Sequence, residues 1–338
     1  MTLKPPTPKA TLLIDDASIS DTAISSFGQM LKACGDPLRL QVLQVLKFDT
    51  FGVLELTQLF DTKQSGMSHH LKVLSQSGLV EAQREGNAVF YRRPAAEHVQ
   101  FDHQAIAQLL QLIDRFEPDQ KLTSRIDTIQ KQRARQSKAF FAKNSERFKE
   151  QQELIADHEQ YAQASFELLI QENLPKSATI MELGPGEGLF LKTLSQFFKK
   201  VIALDNSEDM LRKAKAYCVG ERLTNIEFHL GDTQSFGLLG KTVEAVVMNM
   251  VLHHIPRPSQ IFKEAFSLLN PGGLLLICDL SHHNQEWVKE NCGDLWLGFE
   301  IGELTNWANS AGFIEGKSVY IGLRNGFQIQ LRKFNKPK

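Results

Sequence analysis

The residues best able to do chemistry lie in the second half of this 338-residue chain. Thr179-Ile-Met-Glu-Leu-Gly-Pro-Gly-Glu-Gly188 is an apolar run that ends near an acid and passes at once into three closely spaced glycines. Gly184, Gly186 and Gly188 permit backbone conformations and a close ligand approach that a Cβ would block. The turn therefore reads as a nucleotide-type binding loop. A dinucleotide fingerprint needs G-x-G-x-x-G, whereas here the spacing is G-x-G-x-G and Leu189 stands in place of the third glycine. Glu182 beside the loop is poor company for a pyrophosphate and suits a cationic amino-acid group such as that of S-adenosylmethionine. Asp205 ends the next apolar run, where a carboxylate can accept both hydroxyls of a ribose. Asp232 ends a third run, Phe228 to Asp232, and can take the amino group of an adenine. Farther on, His253 and His254 follow the run that ends at Asn249. An imidazole titrates near neutrality, so either could act as a general base; pocket shaping or structural hydrogen bonding is the other reading.

These residues need a scaffold that brings strand ends together. Met181 and Leu183 have strand character, and Leu189 to Phe198 carries apolar residues at helical spacing. Strand, turn and helix in that order open a doubly wound α/β domain, whose ligands sit at the carboxyl ends of the strands. Ala245 to Asn249 and Leu274 to Asp279 read as further strands, with Val319-Tyr-Ile and Gln328 to Arg332 as a closing pair around Gly326.

Residues from about 176 to 282 resemble a class I S-adenosylmethionine-dependent methyltransferase. The likeness is carried by Glu182-Leu-Gly-Pro-Gly-Glu-Gly188, Asp205, Gly231-Asp232, Asn249-Met-Val-Leu-His-His-Ile-Pro256 and Leu269-Asn-Pro-Gly-Gly273. The resemblance implies that the glycine loop and Glu182 hold the methionine part, Asp205 the ribose and Asp232 the adenine. It also implies that Asn206 or Met210 borders the adenine pocket and that Asn249 faces the methyl group. S-adenosylhomocysteine would be the product. Methylation of DNA itself is disfavoured, because Asn249-Met-Val-Leu252 stands where a Pro-Pro-Tyr or Pro-Cys type loop would be.

Length allows two domains and a connector. A formal net charge of −1 gives no global basic character to announce nucleic acid, but a local basic face stays possible. Cys34, Cys218, Cys278 and Cys292 are scattered without a CxxC pair, which fits a reducing compartment. No run of about eighteen uncharged apolar residues is present, so a cytoplasmic protein without a membrane partner is expected.

In the first third, Ile24, Phe27, Leu31 and Ala33 mark one helix face, and Asp36-Pro37 caps and starts a second helix. A third helix spans Val53 to Phe60. After the polar turn Asp61 to Gln64 a fourth runs to Ser77, with Met67, Leu71 and Leu74 inward and Gln64, Ser65, Ser68, His69 and Lys72 outward. Gly78 stops it. Leu79 to Arg84 and Val89 to Arg93 then form a β-hairpin. Two helices joined by a tight turn and followed by a hairpin make a winged helix-turn-helix, in which the second helix enters the major groove. Gln64, Ser65, Ser68 and His69 can reach base edges or phosphates, while Lys63, Lys72, Arg84, Arg92 and Arg93 supply phosphate contacts.

Ala33-Cys-Gly-Asp-Pro-Leu-Arg-Leu40, Ser65-Gly-Met-Ser-His-His-Leu-Lys-Val-Leu74 and Gly78-Leu-Val80 resemble the ArsR/SmtB family of bacterial repressors over roughly residues 25 to 95. The resemblance implies a homodimer, joined through the first helix and that of about residues 96 to 116, that reads double-stranded operator DNA. No metal site is expected: Gly52 and Leu54 stand where many members carry a thiolate pair, and His98, Asp102 and His103 read as solvated helix surface. The segment from Asp279 to Glu300 resembles the corresponding part of chains that fuse such a domain to a methyltransferase. It lies over the substrate side or merely packs.

The expected organisation is α/β: a flexible segment 1–19, a winged-helix domain 20–117, a solvated helical connector 118–165 and a Rossmann-like methyltransferase domain 166–338. The function this predicts is an ArsR-type DNA-binding regulator carrying a methyltransferase for a small-molecule acceptor. The alternative is a repressor that only senses S-adenosylmethionine or S-adenosylhomocysteine.

Overall fold

The structure, a computed structural model, describes residues 21–47, 49–85, 88–94, 101–144 and 148–338. The chain begins with α1 (Asp21–Cys34) and α2 (Pro37–Val45). Asp36 accepts a hydrogen bond from the Arg39 N–H at 3.1 Å and so satisfies one of the free donors at the start of α2. β1 (Phe51–Gly52), α3 (Val53–Phe60) and α4 (Gln64–Gln76) follow, and Asp61 turns the corner in the left-handed conformation. Met67, Leu71 and Leu74 are fully buried under α4, while Gln64, Ser65, Ser68, His69 and Lys72 are exposed. β2 (Glu81–Glu85) and β3 (Ala88–Arg92) pair antiparallel as the wing, and β1 adds a third strand on the other edge of β3. Then come α5 (Phe101–Ile113), α6 (Gln120–Asn144) and α7 (Phe148–Glu153). His98 lies outside the described residues, as do the side chains of Asp102 and His103 on α5.

After α8 (His158–Ile170) the chain alternates strand and helix: β4 (Thr179–Leu183), α9 (Leu189–Phe197), β5 (Lys200–Asp205), α10 (Glu208–Gly220), β6 (Ile226–Leu230), α11 (Thr233–Gly237), β7 (Val243–Asn249). A short 3₁₀ turn, Leu252–His254, precedes α12 (Pro258–Leu268), β8 (Leu269–Leu280), α13 (Trp287–Asn291), α14 (Ile301–Ala311) and the hairpin β9 (Ile314–Gly322) and β10 (Gln328–Asn335). The seven strands run in the order β6-β5-β4-β7-β8-β10-β9, parallel from β6 to β8 and antiparallel at β10 and β9. Side chains alternate across it with period two. Val201 and Ala203 of β5 join α8, α9 and α10 in one core, and Ile202 and Leu204 join α12 and α14 in the other. Because β4 is flanked by β5 and β7, the connections leaving β4 and β7 go to opposite faces and leave a crevice at their ends.

α6 departs from a solvated connector. Its first half places Leu122, Ile126 and Ile129 in the core of the winged-helix unit. One turn on, Arg133 is 7% exposed and donates to Glu55 of α3 from Nε at 2.7 Å and to the Thr50 carbonyl at 2.9 Å. It also donates to the Pro256 carbonyl beyond the sheet at 3.3 Å, and Asp49 lies 3.7 Å away. Removing one member of such a buried ionic group leaves the others uncompensated and costs about 3–5 kcal/mol. Arg133→Ala should lower the unfolding free energy by about that amount in chemical denaturation; a change below about 1 kcal/mol would show that the guanidinium is dispensable.

Candidate cofactor cavity and DNA interface

The residues singled out after β4, β5, β6 and β7 line one cavity of about 690 Å³. Glu182, Gly184, Gly186, Asp205, Asn206, Met210, Asp232, Asn249 and His254 all border it. Gly184, Gly186 and Gly188 each have positive φ, and Gly188 starts α9. A Cβ on Gly184 would stand 2.2 Å from Val251, so the loop after β4 and that after β7 can approach only because this residue lacks a side chain. Gly188 faces the backbone of Ala214 on α10 in the same way and does not border the cavity itself.

Glu182 is 2% exposed, and its burial pushes the carboxyl up to about 8 against the influence of neighbouring Asn249. Its Oε2 has no hydrogen-bond partner, nor does Asn249 Nδ2. The Asn249 amide is oriented from behind by the Ser165 hydroxyl, which donates to Oδ1 at 2.8 Å. Asp205 accepts from the Ser207 N–H at 2.8 Å, and burial raises its carboxyl to about 6 although backbone N–H groups of Ser207 and Asn206 work against this. Asp232 is exposed and caps α11, with one oxygen accepting from the Ser235 N–H at 2.8 Å.

The two histidines separate. His253 is fully buried and does not border the cavity; its Nδ1 lies 2.7 Å from Asp279 Oδ1. Burial alone would lower its pKa, but Asp279 and Asp294 reverse this and hold it at about 9. The expectation that His253 stands at the pocket as a base is thus corrected. His254 does reach the cavity wall, with Phe141 edge-on at 4.9 Å. Burial, helped by His253, holds its imidazole well below the ordinary value, so it stays neutral.

The far wall was not legible in the sequence. Gln130, Lys131, Ala134, Ser137 and Phe141 of α6 close the cavity, and Ser137 donates to the His254 carbonyl at 3.2 Å. Phe140 and Phe141 in a charged helix were the available signal. The segment Asp279 to Glu300, by contrast, does not border the cavity. Trp296 instead lies edge-on to Phe90 of the wing at 5.6 Å and donates to the Ile255 carbonyl at 2.8 Å.

On the winged-helix unit, Gln64, Ser65, Ser68, His69, Lys72 and Arg84 are exposed as expected. Arg92 is not available: it lies between Glu81 at 3.0 Å and Glu303 of α14 at 2.6 Å. Arg93 is likewise spent, on Asp114 at 2.8 Å and the Leu43 carbonyl. Charge and spacing marked both as phosphate contacts, but folding supplies carboxylate partners first.

Residues 181–277 match the family model of a methyltransferase domain, and residues 35–83 match that of a helix-turn-helix domain. The chain joins a helix-turn-helix domain to a methyltransferase domain. Among curated proteins it is similar to trans-aconitate 2-methyltransferase of Variovorax paradoxus, 34% identical over 113 residues, which are 33% of this chain and 42% of that protein. It is 28% identical over 105 residues to arsenite methyltransferase of Halobacterium salinarum, covering 30% and 27% of the two chains. With ubiquinone biosynthesis O-methyltransferase of Coxiella burnetii it shares 23% identity over 150 residues, 40% and 64% of the two. The chain thus spans under two thirds of the length of these relatives.

Glu182 also makes the methyltransferase domain pH-dependent. Its carboxyl is raised from 4.5 to about 8, so between these values the folded chain keeps a proton that the unfolded chain has released. Stability contributed by this group is therefore full below 4.5 and is lost as pH rises toward 8. In ligand-free protein, Glu182→Gln should flatten the fall of melting temperature between about pH 5 and 8. An equally steep fall in the variant would mean that Glu182 does not carry the slope.

Proposed function

We propose that this chain is an ArsR-type DNA-binding regulator whose carboxyl-terminal domain binds S-adenosylmethionine and methylates a small molecule. What supports it most is the meeting, on neighbouring strands, of a buried Glu182 carboxylate and a buried Asn249 amide at one cavity. The two groups are close enough for Asn249 to oppose the burial that raises the Glu182 pKa, yet Glu182 Oε2 and Asn249 Nδ2 fall outside hydrogen-bond geometry with any described protein group. Buried polar atoms left open cost free energy unless a ligand satisfies them. Glu182 would hold the ammonium of the cofactor, Asp205 the ribose hydroxyls, and Asp232, Asn206 and Met210 the adenine side, with Asn249 toward the reacting end. When bound, S-adenosylmethionine supplies an electrophilic methyl carbon on a sulfonium. Direct displacement asks the protein chiefly to orient the acceptor and exclude water. α6 and the His254 wall do this by closing the cavity. A neutral His254 with so low a pKa is a weak base, so it shapes that wall rather than driving the reaction.

The proposed units are 20–117 for DNA binding and dimerisation, 118–165 for the connector and 166–338 for methyl transfer, after the amino-terminal segment 1–19. A homodimer is supported by the exposed apolar residues Ile24 and Leu31 of α1 together with Leu112 of α5 and Phe116 just beyond it. No helix among the described residues is long and apolar enough to cross a membrane. Operator DNA would meet the outward face of α4 and Arg84.

The second reading, a sensor without catalysis, is favoured by α6. One helix supplies both a cavity wall and part of the winged-helix core, so an occupant would touch the connector helix whose first half is packed into the DNA-binding unit. Asp205→Ala should weaken S-adenosylhomocysteine binding in calorimetry by at least about tenfold, since hydrogen bonds to a charged group contribute about 1.5–3 kcal/mol; unchanged affinity counts against the ribose assignment. Fluorescence anisotropy on the chain's own upstream DNA, at fixed salt, should show wild-type binding that S-adenosylhomocysteine shifts by about tenfold or more, roughly 1.4 kcal/mol. Ser68→Ala with His69→Ala should abolish sequence preference there, and no shift combined with an unaltered footprint would reject both coupling and the placement of α4.

A further inference from the structure

Behind the cavity wall, the loop after α13 carries Asp294 up to the 3₁₀ turn that holds His253 and His254. Asp294 is 3% exposed, and neither of its carboxylate oxygens has a hydrogen-bond partner. His253 Nε2, on a ring with no exposure, has none either. Asp294 Oδ1 stands 3.8 Å from His253 Nε2 and 3.8 Å from His254 Nδ1, which donates to the Gly293 carbonyl at 3.3 Å, a contact that a bound cation would displace. The two separations from Asp294 are too long for hydrogen bonds. Yet one ligand atom from each of the three residues falls within 4.8 Å of the others. A carboxylate buried without hydrogen bonds is costly, and among the described residues no donor reaches it at hydrogen-bond distance, His253 facing it only across 3.8 Å.

The surroundings orient this group. Asp279 accepts from the N–H groups of Leu252 and Leu280, both at 2.8 Å, and receives His253 Nδ1 at 2.7 Å. That contact orients the His253 ring and directs Nε2 toward Asp294, so a cation bound between them would take the place of the Nε2 proton. A carboxylate behind a histidine is the arrangement that holds metal-ligating imidazoles in place. Bonds of about 2.0–2.2 Å set two donors on one cation roughly 3.4 Å apart at a tetrahedral angle, so Asp294 needs to close on each imidazole by only a few tenths of an ångström, and the two imidazoles, within 4.8 Å of each other, complete the group by a rotation of their side chains.

We propose that His253, His254 and Asp294 bind a divalent transition-metal cation of the zinc class. Two imidazole nitrogens and one carboxylate suit zinc or cobalt, and they do not suit magnesium or calcium, which take oxygen ligands. The cation ties the 293–296 loop to the turn after β7. α6 bears on the same loop, since a Cβ on Gly293 would stand 2.3 Å from the Phe140 ring. The site is independent of the cofactor reading, and it was not visible in sequence because Asp294 lies about forty residues from the histidines.

The test uses the full chain, freed of metal with a chelator and titrated with Zn(II) and, separately, Co(II). Metal retained through gel filtration is counted by plasma mass spectrometry, and Co(II) is followed by its visible ligand-field absorption. The expected result is one cation per chain with a Co(II) band in wild type, and a loss of affinity of about 100-fold or more in Asp294→Asn with an unchanged circular dichroism spectrum. Where Asp294→Asn does not fold, His254→Gln is judged by the same criteria. Wild type that retains no metal overturns the proposal, leaving a proton or a water as the partner of Asp294. Equal affinity in wild type and variant also overturns it and places any bound metal elsewhere.

Discussion

One buried guanidinium holds the two halves of the chain together. Arg133 sits with its charge 5.3 Å from the Phe51 ring, 5.8 Å from Phe90 and 5.0 Å from Trp296, so aromatic faces from both units surround it. Its hydrogen bonds go to Glu55 and Thr50 on one side and to Pro256 on the other. A lysine could not replace it, because a point charge cannot satisfy so many acceptors in one plane. The ion pair alone is weak evidence of net stability, since desolvation offsets much of its attraction. What it supplies is a fixed geometry: α6 cannot rotate or slide without stranding Asp49 and Glu55. Because α6 also walls the cavity, that geometry reaches the proposed cofactor site.

The cavity itself depends on missing side chains as much as on those present. At Gly184 the loops after β4 and β7 come closer than any side chain would allow. Met250, immediately after Asn249, adopts a left-handed backbone, φ 53°, although it is not glycine. Such a conformation costs roughly 1–3 kcal/mol and persists only where surrounding contacts enforce it. Here the Met250 N–H donates to the Cys278 carbonyl at 2.7 Å and its carbonyl accepts from Gln152 of α7. The strained turn presents Asn249 to the cavity and sends the following residues beneath α6.

Local signals in the sequence were legible where the cause is local. Helical spacing and capping residues fixed α3 at Val53–Phe60 and the start of α2 at Asp36-Pro37, and the glycine spacing with its flanking acids marked the ends of β4 and β5. What escaped was long-range. Arg133 pairs with Glu55 across 78 residues and with Pro256 across 123, and neither separation is one that a helical or strand period could reveal. Arg92 was legible as a basic wing residue and misleading for that reason: its charge is visible in the sequence, its carboxylate at Glu303 is not. The same holds for His253, whose position after β7 suggested the cavity while the adjacent His254 occupies that wall.

The engagement of Arg92 bears on how DNA would be met. Phe90, Arg92 and Gln83 of the wing all face the methyltransferase domain, with Gln83 3.1 Å from the His282 ring nitrogen. The outward face of α4 and Arg84 stay exposed on the same unit. In the proposed reading base-edge contacts would therefore fall to α4, whereas Phe90, Arg92 and Gln83 of the wing are committed to the neighbouring domain. Fewer cations free to meet phosphate lower the non-specific part of the affinity and the steepness of its salt dependence. A regulator built in the proposed way would lean on the fit of α4 in the major groove, and anything that moves α14 or the 293–296 loop would alter how firmly the wing is held.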